Sequence, residues 1–260
     1  LKKRYAMHVV SFNLRYDTPN DGQHQFKYRK ELILRTILQK APDIIAFQEV
    51  LPHVVLWLKE HLVDYYILGS GREVDLSGEQ TCVAYRKDRF NLIKMEIFWL
   101  SPTPEIPASR FPGQSECCPR TCTLLYLQEL ESKKIFRLYN VHLEHNVENV
   151  RLESIALIKS RIKLDNYLGN HPAILLGDFN TTPDSIEVEL LTSDNFLVDA
   201  TANLGITYHE FHTLGNPIKI DYIFIDPNLI FTKPERWIEQ GDGTSLSDHY
   251  PVSVHIDLNY

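Results

Sequence analysis

The chain has 260 residues, a net charge of −7, 43% hydrophobic residues and 23% charged ones. That composition excludes a disordered or fibrous chain, and a chain this long buries a core without disulfides or a structural metal. Beyond the short start Lys2-Lys3-Arg4 it has no basic run, and it has no Lys/Arg stripe interleaved with aromatics, which argues against a protein that tracks long nucleic acid.

No apolar run approaches the roughly 20 residues needed to cross a bilayer. The basic start, Lys2-Lys3-Arg4, leads into a strand-like run and not into a signal-peptide core. A cytoplasmic protein is expected, unless a signal segment has been removed ahead of Leu1. Cys82, Cys117, Cys118 and Cys122 show no paired C-x-x-C spacing and no histidine knuckle, so free thiols are expected and a zinc site is not.

In chain order, residues 7–13 read as a strand ending in Asn13. A helix follows, in which Ile33 with Ile37 and Leu34 with Leu38 share a face and which Pro42 ends. Residues 43–49 form an apolar strand closing on Glu49, and further strands are predicted at 80–86 and 91–100. The stretch 101–119 holds Pro102, Pro104, Pro107, Pro112 and Pro119, which rules out helix and central strand. A loop that long is either a plain surface excursion or functional. Strands follow at 122–130 and at 135–143, which contains His142. In the next helix, Leu152, Ile155, Ile158 and Ile162 make one apolar stripe. The last strands are 173–178, ending in Asp178, then 219–226 around Asp221, and 252–258. No repeat, low-complexity tract or Gly/Ser linker interrupts the series.

Four of these runs end in side chains suited to a metal or phosphate site: Asn13, Glu49, His142 and Asp178. Each alone reads as a helix cap or turn residue; together they suggest convergence beyond strand ends. In Gly177-Asp178-Phe179-Asn180 the two polar side chains project together if the chain stays extended. The competing reading is an Asx-turn. In Ser247-Asp248-His249 an acid stands beside a histidine, and Asp221 is placed to pair with His249, which would fix its tautomer.

In order, Ser11-Phe12-Asn13, Phe47-Gln48-Glu49, Asn140-Val141-His142-Leu143, Gly177-Asp178-Phe179-Asn180, Ile220-Asp221-Tyr222 and Ser247-Asp248-His249 closely resemble the endonuclease/exonuclease/phosphatase superfamily, which includes deoxyribonuclease I. The longer stretches Asn13-Leu14-Arg15-Tyr16-Asp17 and His142-Leu143-Glu144-His145 look like a bacterial branch of uncertain substrate. The resemblance implies an α/β fold, a four-layered sandwich of two facing mixed β-sheets flanked by helices. It also implies one domain over residues 1–260, because the motifs run from residue 11 to residue 249. Glu49 would bind Mg²⁺ or Mn²⁺, with Asn13 nearby and Asp248 binding or steering a metal. Asp178 would orient or deprotonate the attacking water, and Asn180 would hold it or the phosphate. His142 and the Asp221–His249 pair would meet phosphoryl oxygens, with Glu79 supporting the phosphate-contacting histidine. The histidine at 142 resembles the nuclease, deadenylase and phosphatase branches, whereas abasic-site endonucleases usually carry tyrosine there.

The expected activity is metal-dependent hydrolysis of phosphate esters, first of a diester on a compact or single-stranded substrate, second of a sugar, inositol or nucleotide monoester. A catalytically dead binding module of the same fold is the third reading; retention of the whole motif set argues against it. Few phosphates can be contacted by so acidic a chain, and the candidates for those contacts are Arg15, Arg72, Arg120 and the segment holding His209 and His212. No membrane span and no protein partner is implied.

Overall fold

The structure, a computed structural model, describes residues 6–115, 118–241 and 243–258. Cys117, part of the 101–119 loop and the basic segment 1–5 therefore lie outside the described residues. The chain order is β1 (Ala6–Asn13), α1 (Phe26–Lys40), β2 (Ile44–Gln48), α2 (Pro52–His61), β3 (Tyr65–Leu68), β4 (Val83–Arg86), β5 (Phe90–Trp99), β6 (Thr121–Glu129), β7 (Ile135–His142), α3 (Glu148–Leu168), β8 (Ala173–Asp178), α4 (Ile186–Thr192), β9 (Val198–Asp199), β10 (Asp221–Ile225), β11 (Ile230–Arg236), β12 (Gln240–Gly241), β13 (Thr244–Ser245) and β14 (Val252–Asp257).

Two six-stranded sheets carry the fold, in the orders β11-β14-β1-β2-β4-β3 and β5-β6-β7-β8-β10-β9. Each is mixed: β1 and β2 run parallel in the first, β7 and β8 in the second, amid antiparallel neighbours. Alternation along the strands explains the layering, since successive side chains point to opposite faces. Met7 and Val9 face the other sheet, packing in one cluster with Leu138, Ile174 and Ile223. Val10 and Phe12 face outward into a second cluster with Ile33 and Ile37 of α1 and Val54 and Leu58 of α2. On the far side Ile155, Ile158 and Ile162 of α3 cover Tyr139, Val141 and Leu175. Strands buried on both faces read as continuous apolar runs, which is why they were legible. The four-layered sandwich is thus observed, helices outside and sheets within.

The first helix ends at Ala41, in the left-handed region at φ 45°, just before Pro42. Ile33 and Ile37 are fully buried as expected, but Leu38 is 57% exposed and only Leu34 of that pair packs on the core. In α3 the stripe holds, with Leu152 at its half-buried edge. Elements that the pattern did not reveal are α2, α4, β3, β9, β11 and the β12–β13 hairpin. The edge strand β11 carries Lys233-Pro234 at a break in its register with β14, an edge-strand use of proline. Among the described residues no helix is long and apolar enough to cross a membrane, and Cys82, Cys118 and Cys122 form no disulfide with one another.

Polar contacts tie the two sheets together beneath one edge. Gln48 of β2 donates to Asn140 Oδ1 of β7 at 2.8 Å, and Asn140 Nδ2 donates to the carbonyls of Phe47 and Cys82 at 2.9 and 3.0 Å. All are buried, so their hydrogen bonds hold the sheets in one register at this edge.

Candidate active site

Register brings the polar side chains together. Asn13 stands opposite Gln48, His142 opposite Asp178, and Asp178 opposite Asp221, so strand ends from both sheets meet at one edge. In an extended chain Glu49 would point away from the face that Gln48 occupies. Its left-handed φ of 62° turns it back toward the site.

Asn13 sits at the centre of the floor, 1% exposed. Its Nδ2 donates to Glu49 Oε1 and to Asp178 Oδ2, both at 3.0 Å, while its Oδ1 accepts from the Arg15 amide at 2.9 Å. Glu49 Oε2 accepts from the Tyr16 amide at 2.8 Å. Asp178 Oδ2 also lies 3.6 Å from His142 Nε2 and 3.8 Å from His249 Nε2, and His249 Nδ1 is 2.9 Å from Asp221 Oδ2. With Nδ1 bonded to a carboxylate, the ring carries its other nitrogen toward the centre of the site.

The chain does not stay extended after Asp178. Asn180 adopts φ 50°, its amide donates to Asp178 Oδ1 at 2.9 Å, and its side chain donates to the Leu143 carbonyl at 3.0 Å. The Asx-turn and the polar site are therefore one feature: the turn delivers Asn180 to the same cavity. That cavity, about 400 Å³, is lined by Glu49, His142, Asp178, Asn180, Asp248 and His249 together with Arg15, Arg72, Glu79 and Arg120. Asn13 and Asp221 lie behind this lining and act on it through their hydrogen bonds.

Charge is unevenly held here. Burial works against a charged His249 ring, but Asp221, by its charge and hydrogen bond, and then Asp248 and Asp178 outweigh it and raise the pKa to about 10. Burial, followed by the Asp221 charge, pushes Asp178 up to about 7 although His249 opposes this. Burial, with the Arg120 and Arg72 cations, holds His142 well below the usual histidine range. One edge of the site thus presents an imidazolium and the other a neutral imidazole.

Glu49, Asp178 and His249 each offer a ligand atom within 4.8 Å of the others. The two carboxylates are hard oxygen donors of the kind that suits a small divalent cation. His249 belongs to the group by distance, but its charged ring suits it to donate to an anion instead. Asp248 lines the cavity yet lies outside this group; Ser247 Oγ donates to its Oδ1 at 3.0 Å, and Arg15 Nε lies 3.7 Å from its Oδ2.

Three expectations need correction. Among the described residues Glu79 bonds neither His142 nor His249: it accepts from Arg72 Nη2 at 2.7 Å. His209 is 1% exposed and packs under Tyr250 with ring centroids 4.2 Å apart, while His212 stacks on His209 and contacts Ser245 Oγ at 3.0 Å. Neither histidine lines the cavity; the turn that carries them presents Tyr208 instead, whose ring lies 4.8 Å from that of His249. Arg15 lines the cavity, but its guanidinium is committed to Asp21 by two bonds of 2.9 Å.

Sequence reasoning missed Tyr16, Tyr208 and His145 in the lining, and it missed Arg29. The fully buried Arg29 of α1 donates to the carbonyls of Leu14, Arg15, His24 and Leu246, clamping the segments that carry Arg15 and Asp248. The only signal was an arginine on an otherwise apolar helix face. The proline-rich loop does reach the site, for Cys118 lines the cavity and Ser115 Oγ donates to the buried Glu144 at 2.8 Å.

Comparison with known proteins bears on the family and the fold. The chain is 30% identical to a Bacteroides vulgatus endonuclease/exonuclease/phosphatase structure, with a TM-score of 0.90 over 98% of this chain and 99% of that one. It is 27% identical to a mannosyl-6-phosphatase of Bacteroides thetaiotaomicron, with a TM-score of 0.87 over 96% of this chain and 99% of that one. It is also 29% identical over 208 residues to the Arabidopsis thaliana Carbon catabolite repressor protein 4 homolog 3, covering 73% of this chain but only 43% of that relative. The profile of the Endonuclease/Exonuclease/phosphatase family matches residues 10–249, a span with Asn13 near one end and His249 at the other. The chain belongs to that family.

Proposed function

We propose that this chain is a divalent-metal-dependent hydrolase of compact phosphate esters, acting as one domain, with a sugar-phosphate monoester as its substrate class. The observation that carries the hydrolase reading is the meeting of Glu49, Asp178 and the Asp221–His249 pair at one sheet edge. Mg²⁺ or Mn²⁺ would be held by Glu49 with Asp178 alongside, and Asp248 would bear on its outer ligands. When bound, the cation supplies charge neutralisation at the phosphoryl oxygens and a lowered pKa for an attacking water.

The chain's own groups account for the remainder. The His249 Nε2 proton, directed into the cavity, donates to a phosphoryl oxygen, and Asp221 holds the charged ring in that orientation. Asp178, raised to about 7, accepts a proton from water near neutral pH, and Asn180 orients that water. Neutral His142 supplies a second hydrogen bond without adding charge. Asn13 keeps the Glu49 and Asp178 carboxylates apart in fixed geometry.

The monoester takes precedence over the diester on two grounds: the compact cavity, and likeness over nearly the whole chain to a protein described as a mannosyl-6-phosphatase. The diester reading has its own support. A smaller adjoining cavity of about 220 Å³ is lined by Arg15, Tyr208 and Phe211, with His24 stacked on Phe211 at 4.3 Å, an aromatic surface for a base. A panel in Mg²⁺ and Mn²⁺ tests the choice, comparing hexose phosphates, bis-aryl phosphate diesters and single-stranded oligonucleotides. Turnover of hexose monoesters above diesters supports the proposal; diester cleavage without monoester cleavage overturns it in favour of the second reading.

A further inference from the structure

Two arginines at one end of the cavity are not used by the chemistry above. Arg72 is 9% exposed and Arg120 4%, yet both line the cavity. Among the described residues each spends one terminal nitrogen on a protein hydrogen bond: Arg72 Nη2 on Glu79 at 2.7 Å, and Arg120 Nη2 on His145 Nδ1 at 3.0 Å. The Nε of each is buried with no hydrogen-bond partner. Each Nε is turned to a carboxylate at 3.9 Å, but Nη1 of each has no hydrogen bond among the described residues, so two near-completely buried guanidinium groups lining one cavity form an incomplete oxygen cradle, since buried donors are ordinarily satisfied.

Position separates this cradle from the reacting centre. Arg120 immediately precedes β6, β6 pairs with β7, and β7 pairs with β8, so the strand that enters from Arg120 lies two strands from the one ending in Asp178. Two strand spacings amount to about 10 Å. On the facing sheet, Arg72 belongs to the segment that pairs beyond Glu49, through the bridges of Gln80 with Val50 and Gly71. Both arginines therefore stand on the side of His142 away from His249. The carboxylates that face them are Glu79, Glu73, 3.9 Å from Arg72 Nε, and Glu144, 3.9 Å from Arg120 Nε. Glu144 is fully buried, and its other oxygen accepts from Ser115 Oγ and the Asn146 amide. These acids engage Nη2 and Nε of Arg72 and Nε of Arg120. His145 offers only a ring nitrogen to Arg120 Nη2, and Glu144 approaches that fork only at Nε.

We propose that Arg72 and Arg120 bind a second anionic group of the substrate, so that the preferred ester is a compact bis-anion such as a sugar bisphosphate. This deepens the monoesterase reading and rests on it. One phosphoryl group occupies the centre at Glu49, Asp178 and His249, and the other anion is gripped by the paired guanidinium groups, whose fork geometry matches phosphate or carboxylate oxygens.

The test uses the whole protein with Mg²⁺ and two probes, fructose 1,6-bisphosphate and fructose 6-phosphate. Both kcat/KM and calorimetric affinity are measured for the wild type, Arg120→Lys, Arg120→Ala and Arg72→Lys. The wild type should prefer the bisphosphate. The ratio of kcat/KM for bisphosphate over monophosphate should fall by roughly 10- to 100-fold in each variant, chiefly through KM, as expected for loss of hydrogen bonds to a charged group. Because the reading is a ratio, partial misfolding of Arg120→Ala does not mimic it, and Arg120→Lys keeps the charge while removing the fork. No preference in the wild type, or equal losses on both probes, overturns the second-anion site. If neither probe is hydrolysed, the monoesterase reading fails, and the calorimetry still decides the site by whether bisphosphate binding depends on the arginines.

Discussion

Replacing Asp221 by asparagine probes the charge on His249 directly, and its effect is worked from the 2.9 Å contact and the buried ring. In the folded chain the His249 pKa is raised from 6.5 to about 10, burial being outweighed by Asp221, Asp248 and Asp178. A group whose folded pKa lies above its unfolded value stabilises fully below the unfolded pKa and loses that contribution as pH rises through the folded one. The window is therefore pH 6.5 to about 10. At about 1.4 kcal/mol per pH unit, the part of the contribution lost between pH 7 and pH 10 is on the order of 4 kcal/mol. A neutral amide in place of the Asp221 carboxylate removes the largest attraction and leaves only Asp248 and Asp178 against burial, so the variant should show a much shallower slope. The assay is urea unfolding in chelator at intervals from pH 7 to pH 10, comparing wild type with Asp221→Asn so that the titration of lysines and tyrosines cancels. Asp178, pushed up to about 7, acts mainly in the window below that, where ionisation costs stability as pH rises from its unfolded value near 3.8. Parallel stability curves for the two proteins across pH 7 to 10 would refute the buried imidazolium and with it the role given to His249.

Other perturbations separate the remaining contributions. Glu49→Gln should remove calorimetric Mg²⁺ binding and turnover while leaving the fold intact by circular dichroism; undiminished metal affinity would move the cation elsewhere. Asn13→Ala deletes two donors to carboxylates and should cost about 2–4 kcal/mol in chelator, with a smaller loss in Mg²⁺, where the cation separates the same two acids; equal losses in both conditions would show that Asn13 does not serve this purpose. Gly177→Ala places a Cβ 1.9 Å from the Val141 carbonyl at φ 143°, between the parallel strands β7 and β8. It should lower the unfolding free energy by at least about 3 kcal/mol, and a loss below about 1 kcal/mol, within the range of an ordinary substitution, would mean that the strands separate freely there.

The sequence by itself made the main strands and helices legible, together with the polar side chains at strand ends, while the layering followed from the family resemblance. Strands such as β1, β2 and β8 are buried on both faces, so their apolar runs stood out without any knowledge of their partners. Helices α1 and α3 showed periodic stripes because each buries one face against a sheet. Asn13, Glu49, His142 and Asp178 were legible because rigid strands end at them, and Asp221 with His249 because an acid and a histidine stand in recognisable motifs near the last strands.

Only the tertiary structure decided what depends on pairs distant in the chain. Asn140 looks like any polar strand residue until Gln48, 92 positions away, is found donating to it across the sheets. Arg29 has no local signature of its clamp, because its acceptors are backbone carbonyls from separate segments, as far away as Leu246. Glu79, expected to support a phosphate-contacting histidine, belongs to Arg72, and His209, expected at the substrate, lies under Tyr250. In these cases residue type was informative and direction was not. Direction depends on backbone turns such as the positive φ of Glu49 and Asn180, and on which side chain from another strand reaches the polar atom first. Those choices are made when the two sheets close on each other, since burial then forces each polar group to find its partner across the chain.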